Sequence, residues 1–350
     1  MKIELGLTSF ADNIDIHMES GRQAAISNGQ RIRNIIEEIE TADRYGLDVY
    51  GLGEHHRADY AVSDPVTVLA AAARNTTHIK LSSAVTVLSS DDPVRVYERF
   101  STLNAVSNGR AEIMVGRGSF IESFPLFGYE LKDYEQLFNE KIDLLMNINK
   151  HEIVNWEGQL RPSIENLSVY PKVENGPLPI TIATGGTPES SLKAGALGLP
   201  ITYAIIGGDP KRFRRNIDMY KSIAKSYGHN INELPIATHS WGYIAETDEL
   251  AKREFFPSVK ASHDILAKER GWPPYDENSF DREAGPHGAL YVGSPETVAQ
   301  KIIETIETLG LTRFMLHTPV GSMPHDKTIN TIKLLAERVK PIVDKYFENK

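Results

Sequence analysis

Arg31-Ile32-Arg33-Asn34-Ile35-Ile36-Glu37-Glu38-Ile39-Glu40-Thr41-Ala42-Asp43-Arg44-Tyr45-Gly46-Leu47-Asp48-Val49-Tyr50-Gly51-Leu52 carries two structural periods in succession. Ile32, Ile35, Ile36, Ile39 and Ala42 recur at spacings of three and four, which predicts a helix with one apolar face. Gly46 stands where a left-handed C-terminal residue ends such a helix. The short β-branched and aromatic run Val49 to Leu52 then predicts a strand, and a second helix begins near Pro65 with Val66, Leu69, Ala70 and Ala73 on its buried side.

The same step repeats in both directions. A strand Ile3 to Leu7 precedes it. After it come strands Leu81 to Leu88, Ala111 to Val115, Ile180 to Ala183, Ile201 to Ile205, Ile236 to Ala245 and Arg313 to Leu316. Between them lie helices from Pro93, over Glu135 to Met146, and from Pro188, Pro210 and Pro295, and a last helix carries Ile329, Ile332, Leu335 and Val339. Strands that alternate with helices pair in parallel, because a parallel neighbour needs a crossover that a helix supplies. Eight such steps predict an α/β chain folded as a (β/α)8 TIM barrel. Residues 1–350 are read as one barrel domain, with insertions at about 151–179 after the fourth strand and 247–288 after the seventh. No flexible linker marks a split near residue 175. The second insertion is rich in charge, proline and aromatics, including Trp272-Pro273-Pro274-Tyr275, and fits either a mobile lid or a surface or dimer-contact excursion.

Composition narrows the function classes. The 350 residues are 41% hydrophobic and 24% charged, near globular averages, which argues against disorder. With 38 Lys and Arg against 47 Asp and Glu, the net charge of −9 disfavours nucleic acid as a partner, since tracking phosphates requires clustered cations. The absence of cysteine excludes disulfides, thiolate nucleophiles and Cys-held metal centres. No run approaches the roughly 20 apolar residues of a membrane span, and the start Met1-Lys2-Ile3-Glu4-Leu5 does not resemble a secretory signal, so a cytoplasmic location is expected.

In parallel barrels chemistry collects where strands end. After the second strand lies Gly53-Glu54-His55-His56-Arg57, where imidazoles beside a carboxylate suit proton transfer, ligand contact or a structural hydrogen bond. Metal binding is disfavoured because adjacent side chains diverge. After the fourth strand lies Gly116-Arg117-Gly118-Ser119, in which glycines admit an anion to the backbone and a guanidinium holds it; a structural ion pair is the alternative. After the fifth lies Thr184-Gly185-Gly186-Thr187-Pro188-Glu189-Ser190, a glycine turn with hydroxyls at a helix start, suited to phosphate or to plain N-capping. Together Arg117 and this turn suggest one bound phosphate. No Gly-x-Gly-x-x-Gly follows the first strand, so a Rossmann nucleotide site is disfavoured. His239 and His317, within or at the ends of late strands, are read as hydrogen-bonded core residues.

Several blocks in order resemble the bacterial luciferase-like flavin-dependent monooxygenases: Leu52-Gly53-Glu54-His55-His56, Ser63-Asp64-Pro65, Ala84-Val85, Asp92-Pro93-Val94-Arg95, Ser107-Asn108-Gly109-Arg110, Gly116-Arg117-Gly118, Gly185-Gly186-Thr187-Pro188-Glu189-Ser190 and Gly293-Ser294-Pro295-Glu296-Thr297-Val298. The resemblance implies a barrel that binds reduced FMN at the carboxyl ends of its strands, the phosphate held at Arg117, Gly186, Thr187 and Ser190. It implies a non-prolyl cis peptide at Ala84-Val85 against the flavin ring, and catalytic residues at His55 and, beside it, Glu54. The implied reaction uses O2 to form a flavin C4a-(hydro)peroxide that oxidises a small organic substrate. A separate flavin reductase and a homodimer are implied as partners. Related barrels leave two other readings, a deazaflavin (F420)-dependent reductase or dehydrogenase and a non-catalytic flavin-binding protein. The light-emitting subunit's reactive cysteine matches Gly116 here, which argues against aldehyde oxidation with light emission.

Overall fold

The computed structural model describes residues 2–14, 25–118, 120–271, 273–321 and 323–350. Ser119 and Trp272, singled out above, lie outside them. The strands are β1 (Glu4–Ser9), β2 (Val49–Leu52), β3 (Lys80–Ser83), β4 (Thr86–Val87), β5 (Ala111–Gly116), β6 (Val154–Trp156), β7 (Ile164–Leu167), β8 (Ile180–Thr184), β9 (Ile201–Ala204), β10 (Ile236–Ile244), β11 (Tyr291–Gly293) and β12 (Arg313–His317). The α-helices are α1 (Asn28–Arg44), α2 (Pro65–Ala73), α3 (Pro93–Val106), α4 (Ser123–Leu126), α5 (Tyr134–Lys150) and α6 (Pro188–Leu197), followed by α7 (Arg214–Ser226), α8 (Asp248–Arg270), α9 (Glu277–Ala284), α10 (Pro295–Leu309), α11 (His325–Leu334) and α12 (Lys340–Glu348).

Eight strands, β1, β2, β3, β5, β8, β9, β10 and β12, pair in parallel in that order, and β12 pairs with β1 to close the barrel. The helix read from Ile32 to Ala42 is α1, capped by Ser27, whose hydroxyl accepts the Gln30 N–H at 3.2 Å. Side chains alternate across each strand. Leu5, Leu7, Tyr50, Leu52, Leu81, Ile113 and Ile182 belong to the main apolar core, together with Ile35, Ile39, Leu69, Phe100 and Leu145 from the helices. A buried Leu or Ile of this kind contributes about 1.5–3 kcal/mol. The opposite register holds Val49, Ala84, Met114, Ala237 and Met315, a smaller apolar cluster that separates the two ends of the barrel.

Four details differ from the sequence expectation. The third strand is not continuous from Leu81 to Leu88: β3 and β4 are separate, divided at the Ala84–Val85 peptide, which is cis as the resemblance implies. Ser83 bridges the interruption, its Oγ donating to the Met114 carbonyl at 2.9 Å and accepting the Met114 N–H at 3.1 Å. Residues 151–179 hold an antiparallel hairpin, β6 with β7. Residues 247–288 are mostly helical, comprising α8 and α9, and β11 adds a short parallel strand to β10 that three residues were too few to announce. Phe255, Val259, Tyr275 and Phe280 of this segment pack with Trp241, Tyr243 and Val320 in an apolar cluster of their own.

Candidate active site

The rim segments after β5 and β8 meet. Arg117 Nη2 donates to Thr187 Oγ1 at 2.8 Å and Ser190 Oγ at 3.2 Å, while Nη1 pairs with Glu135 at 3.2 Å. Thr187 and Ser190 hydroxyls lie 2.9 Å apart, Thr184 Oγ1 is 3.2 Å from Thr187 Oγ1, and Thr184 also accepts the Gly186 N–H at 3.1 Å. Thr187 is the N-cap of α6 but its side chain does not close the helix, so the hydroxyl is turned to Arg117 instead of to the free amides. Gly186 has φ +107°, a conformation closed to most side chains, and a Cβ there would come within 2.9 Å of the Phe213 ring. The Cβ direction of Gly185 meets no atom within 4 Å, which leaves its backbone approachable. A guanidinium, two hydroxyls and the positive end of a helix dipole form an anion cradle.

A cleft runs inward from this cradle. Ala84, Val85, Met114, Gly116 and Ala183 line its floor, and Glu54, His55 and His239 line its inner wall. A Cβ on Gly116 would sit 2.8 Å from Val85 Cγ2, so a larger residue here would displace the wall made by the cis peptide. His55 Nε2 is buried and has no hydrogen-bond partner among the described residues. Its ring lies 4.2 Å from that of Tyr60, 5.0 Å from Phe10 and 5.3 Å from Phe120. Burial, with the nearby Arg57 and His56, pushes its pKa down to about 3, so the imidazole is neutral at physiological pH.

Glu54 and His55 do not pair. Glu54 Oε1 accepts from His56 Nε2 at 2.9 Å, and Oε2 accepts the Val87 N–H at 3.0 Å, anchoring the chain just after the cis peptide. Adjacent residues on an extended chain point apart, so the carboxylate supports the wall while the imidazole faces the cleft. His239 and His317 are buried and share one hydroxyl, Thr8 Oγ1, at 3.4 and 3.0 Å from their Nδ1 atoms. This matches their reading as core histidines, although His239 also reaches the cleft. Burial lowers His239 to about 4 and holds His317 well below the usual range, with His239 and His55 adding to the latter.

Sequence reasoning missed Phe10, Phe120, Asp12 and Trp241. Phe10 contacts His55, His239 and His317, with the last centroid at 4.2 Å. Trp241 was legible in one respect, lying two residues beyond His239 on β10 and therefore on the same face. The loop after β1 had no motif to single out Asp12.

A family model described as luciferase-like monooxygenase matches residues 13–313. Limonene 1,2-monooxygenase of Rhodococcus erythropolis is 23% identical over 318 residues, 89% of this chain and 81% of that protein. The crystal structure of the monooxygenase RslO1 from Streptomyces bottropensis superimposes with a TM-score of 0.84 at 23% identity, covering 97% of this chain and 99% of that one. The oxygenating constituent of 3,6-diketocamphane monooxygenase from Pseudomonas putida, solved in complex with FMN, has a TM-score of 0.75 at 20% identity, with coverage of 97% and 99%. Both structures share the fold.

Proposed function

Because this chain belongs to the luciferase-like monooxygenase family, we propose that it is an FMN-dependent monooxygenase that oxidises a small organic substrate with O2, supplied with reduced FMN by a separate reductase and working as a homodimer. The observation that carries the reading is the convergence of Arg117 with Thr187 and Ser190 at the start of α6. The donor set suits a phosphate: a dianion entering there accepts from the guanidinium and both hydroxyls, and displaces only the exposed Glu135 from Arg117. His55 lines the cleft and its buried Nε2 has no partner among the described residues, which suits a polar group at the far end of the same ligand.

Bound reduced flavin would supply the electrons that activate O2. Arg117, Thr187 and Ser190 would hold its phosphate, and Gly185 and Gly186 would admit it to the backbone. Ala84 and Val85 would offer a flat apolar wall, held in place by Glu54 through Val87. Neutral His55 accepts or donates one hydrogen bond at Nε2 and is shielded by Phe10, Tyr60 and Phe120, which keep water from that atom. The test is stopped-flow mixing of the anaerobic protein and reduced FMN with O2, followed by mass spectrometry of candidate substrates. Oxygen-dependent flavin oxidation with 18O2 label in a product is expected. Hydride exchange with deazaflavin F420 and indifference to O2 would make the protein an F420-dependent reductase or dehydrogenase, and binding without turnover would make it a flavin carrier.

A further inference from the structure

A second cavity, of about 240 Å³, lies across the aromatic partition from the cleft. Phe10 and Phe120 line both spaces, with His55 on one side and Tyr60 on the other. The remaining wall comes from Trp241 on β10 and from α8, which supplies Val259 and Ser262. A water in the liquid occupies about 30 Å³, so the space admits an organic molecule.

Asp12 Oδ2, Trp241 Nε1 and Ser262 Oγ line this cavity, are buried and have no hydrogen-bond partner among the described residues; His263 of α8 lines it too, its ring stacked on that of Tyr275 with centroids 4.5 Å apart. Asp12 and Ser262 are each 6% exposed and Trp241 is 9%. Buried polar atoms normally find partners, and each one left alone destabilises the fold. The neighbours of Asp12 account for its other atoms. Oδ1 accepts the Gly321 N–H at 3.1 Å, and Arg31 Nε donates at 3.1 Å to the Asp12 backbone carbonyl, not to the carboxyl group. His317 Nε2 is 4.0 Å from Oδ2, beyond hydrogen-bond reach.

The three atoms differ in chemistry. Asp12 as carboxylate accepts, Trp241 only donates, and Ser262 does either. The described lining also includes Asp59 and Glu283 but no Lys or Arg. Asp59 is neutralised by Arg57 at 2.9 Å, whereas Glu283 has the Tyr275 hydroxyl at 2.7 Å. An anionic occupant therefore meets carboxylates and finds no Lys or Arg on the described wall, the one basic side chain there being the His263 imidazole. An ammonium group satisfies Asp12 but leaves the Trp241 N–H without an acceptor. A head that both donates and accepts satisfies all three.

We propose that this cavity binds the polar head of the substrate, an uncharged amide-like group on a small apolar body, donating to Asp12 and accepting from Trp241 and Ser262. That the occupant is the substrate rests on the flavin reading; that it binds does not. The apolar body lies against Phe10 and Phe120, the partition beyond which the cleft begins. Burial raises the Asp12 pKa to about 7, against the pull of the Gly321 N–H and Arg31, so an amide donor binds more tightly above that pH.

The test is calorimetric titration of the flavin-free full chain at pH 8 with three probes of one shape: cyclohexanecarboxamide, cyclohexanecarboxylate and cyclohexylamine. The carboxamide is expected to bind most tightly, at least tenfold better than the carboxylate. Asp12→Asn keeps an acceptor for the Gly321 N–H and turns a donor into the cavity, so the preference for carboxamide over carboxylate should fall below threefold. Trp241→Phe should weaken the carboxamide fivefold or more while leaving the amine within twofold. Ile206→Trp, at a part-exposed lining position, should weaken all three. Carboxylate or amine binding as tightly as carboxamide, an unchanged ranking in Asp12→Asn, or no binding in the unmutated protein each overturns the proposal. If Asp12→Asn fails to fold, the probe ranking and the other two variants still decide. FMN titrations of the same samples separate the two readings: lost FMN binding with the amide ranking intact overturns only the flavin assignment, and the reverse overturns only this one.

Discussion

At the amino-terminal mouth of the barrel, Arg313 donates to Glu112 at 2.7 and 3.1 Å and to Glu4 at 2.7 Å, and Lys80 reaches Glu4 at 2.5 Å. At the opposite mouth, Asp12, His239 and His317 are buried more deeply, beside His55, and the neighbours of these groups are a backbone N–H, a threonine hydroxyl, aromatic rings and one another. Both mouths place ionisable groups inside a closed sheet. The first keeps them charged by pairing: against the upward push of burial, Arg313 holds Glu112 below the usual carboxylate range. The second withholds countercharges: burial drives His55 down to about 3, which leaves it neutral, and raises Asp12 to about 7, so that it ionises only near neutral pH. Paired charges have little left to offer a ligand. Groups without a countercharge, such as His55 Nε2 and Asp12 Oδ2, retain hydrogen-bonding capacity, and both proposed binding spaces open at that end.

The contrast is broken most severely at the paired mouth. Arg313→Ala leaves Glu112 with Lys80 alone, at 3.3 Å, and should cost about 1.5–3 kcal/mol in urea unfolding. A loss below about 1 kcal/mol would show that the network is solvated and that the contrast is not electrostatic. At the other mouth, His55→Ala should lower coupled turnover about 100-fold while FMN affinity changes less than about twofold. Unchanged turnover would remove His55 from the chemistry and leave it a packing residue.

Acidity tests the neutral histidines more gently. An unfolded histidine ionises near 6.5, but His239 in the fold does so only near 4, so the unfolded chain takes up its proton first as pH falls. Stability should therefore decline between about pH 6.5 and 4, by up to about 1.4 kcal/mol per pH unit for this residue, and His239→Gln should flatten that decline. Asp12 works in the other direction: its contribution is complete below about pH 4 and fades as pH rises through about 7. An acid limb identical in His239→Gln would contradict the assignment. The smallest effect belongs to the anion cradle, where Thr187→Val removes one hydroxyl and should weaken FMN about fivefold, near the 1 kcal/mol of a single hydrogen bond. No change would leave Thr187 only a structural partner of Arg117.

Much of the barrel was legible because strands and helices each impose a period on their buried side, and all eight steps carry it in sequence. The interruption at Ala84–Val85 was not visible as a break, since Leu81 to Leu88 keeps strand composition throughout; the family resemblance alone anticipated the cis bond. Arg117 and the Gly185–Gly186 turn were found because glycines beside hydroxyls or an arginine are unusual at strand ends. Their meeting, 70 residues apart in sequence, required the closed sheet. Glu54 was read with His55 because they are neighbours in sequence, and the extended backbone separates them. Asp12 and Ser262 belong to a loop and a helix with no shared period, so only the folded chain brings them to one cavity.

The most direct test compares FMN with riboflavin, which lacks the phosphate, in the unmutated protein and in Arg117→Ala. If Arg117 belongs to a phosphate cradle, FMN affinity should fall about 10- to 150-fold, equivalent to about 1.5–3 kcal/mol, with riboflavin unchanged within about twofold. Equal losses for the two ligands would assign Arg117 to the fold and contradict the shared cradle on which the reading depends.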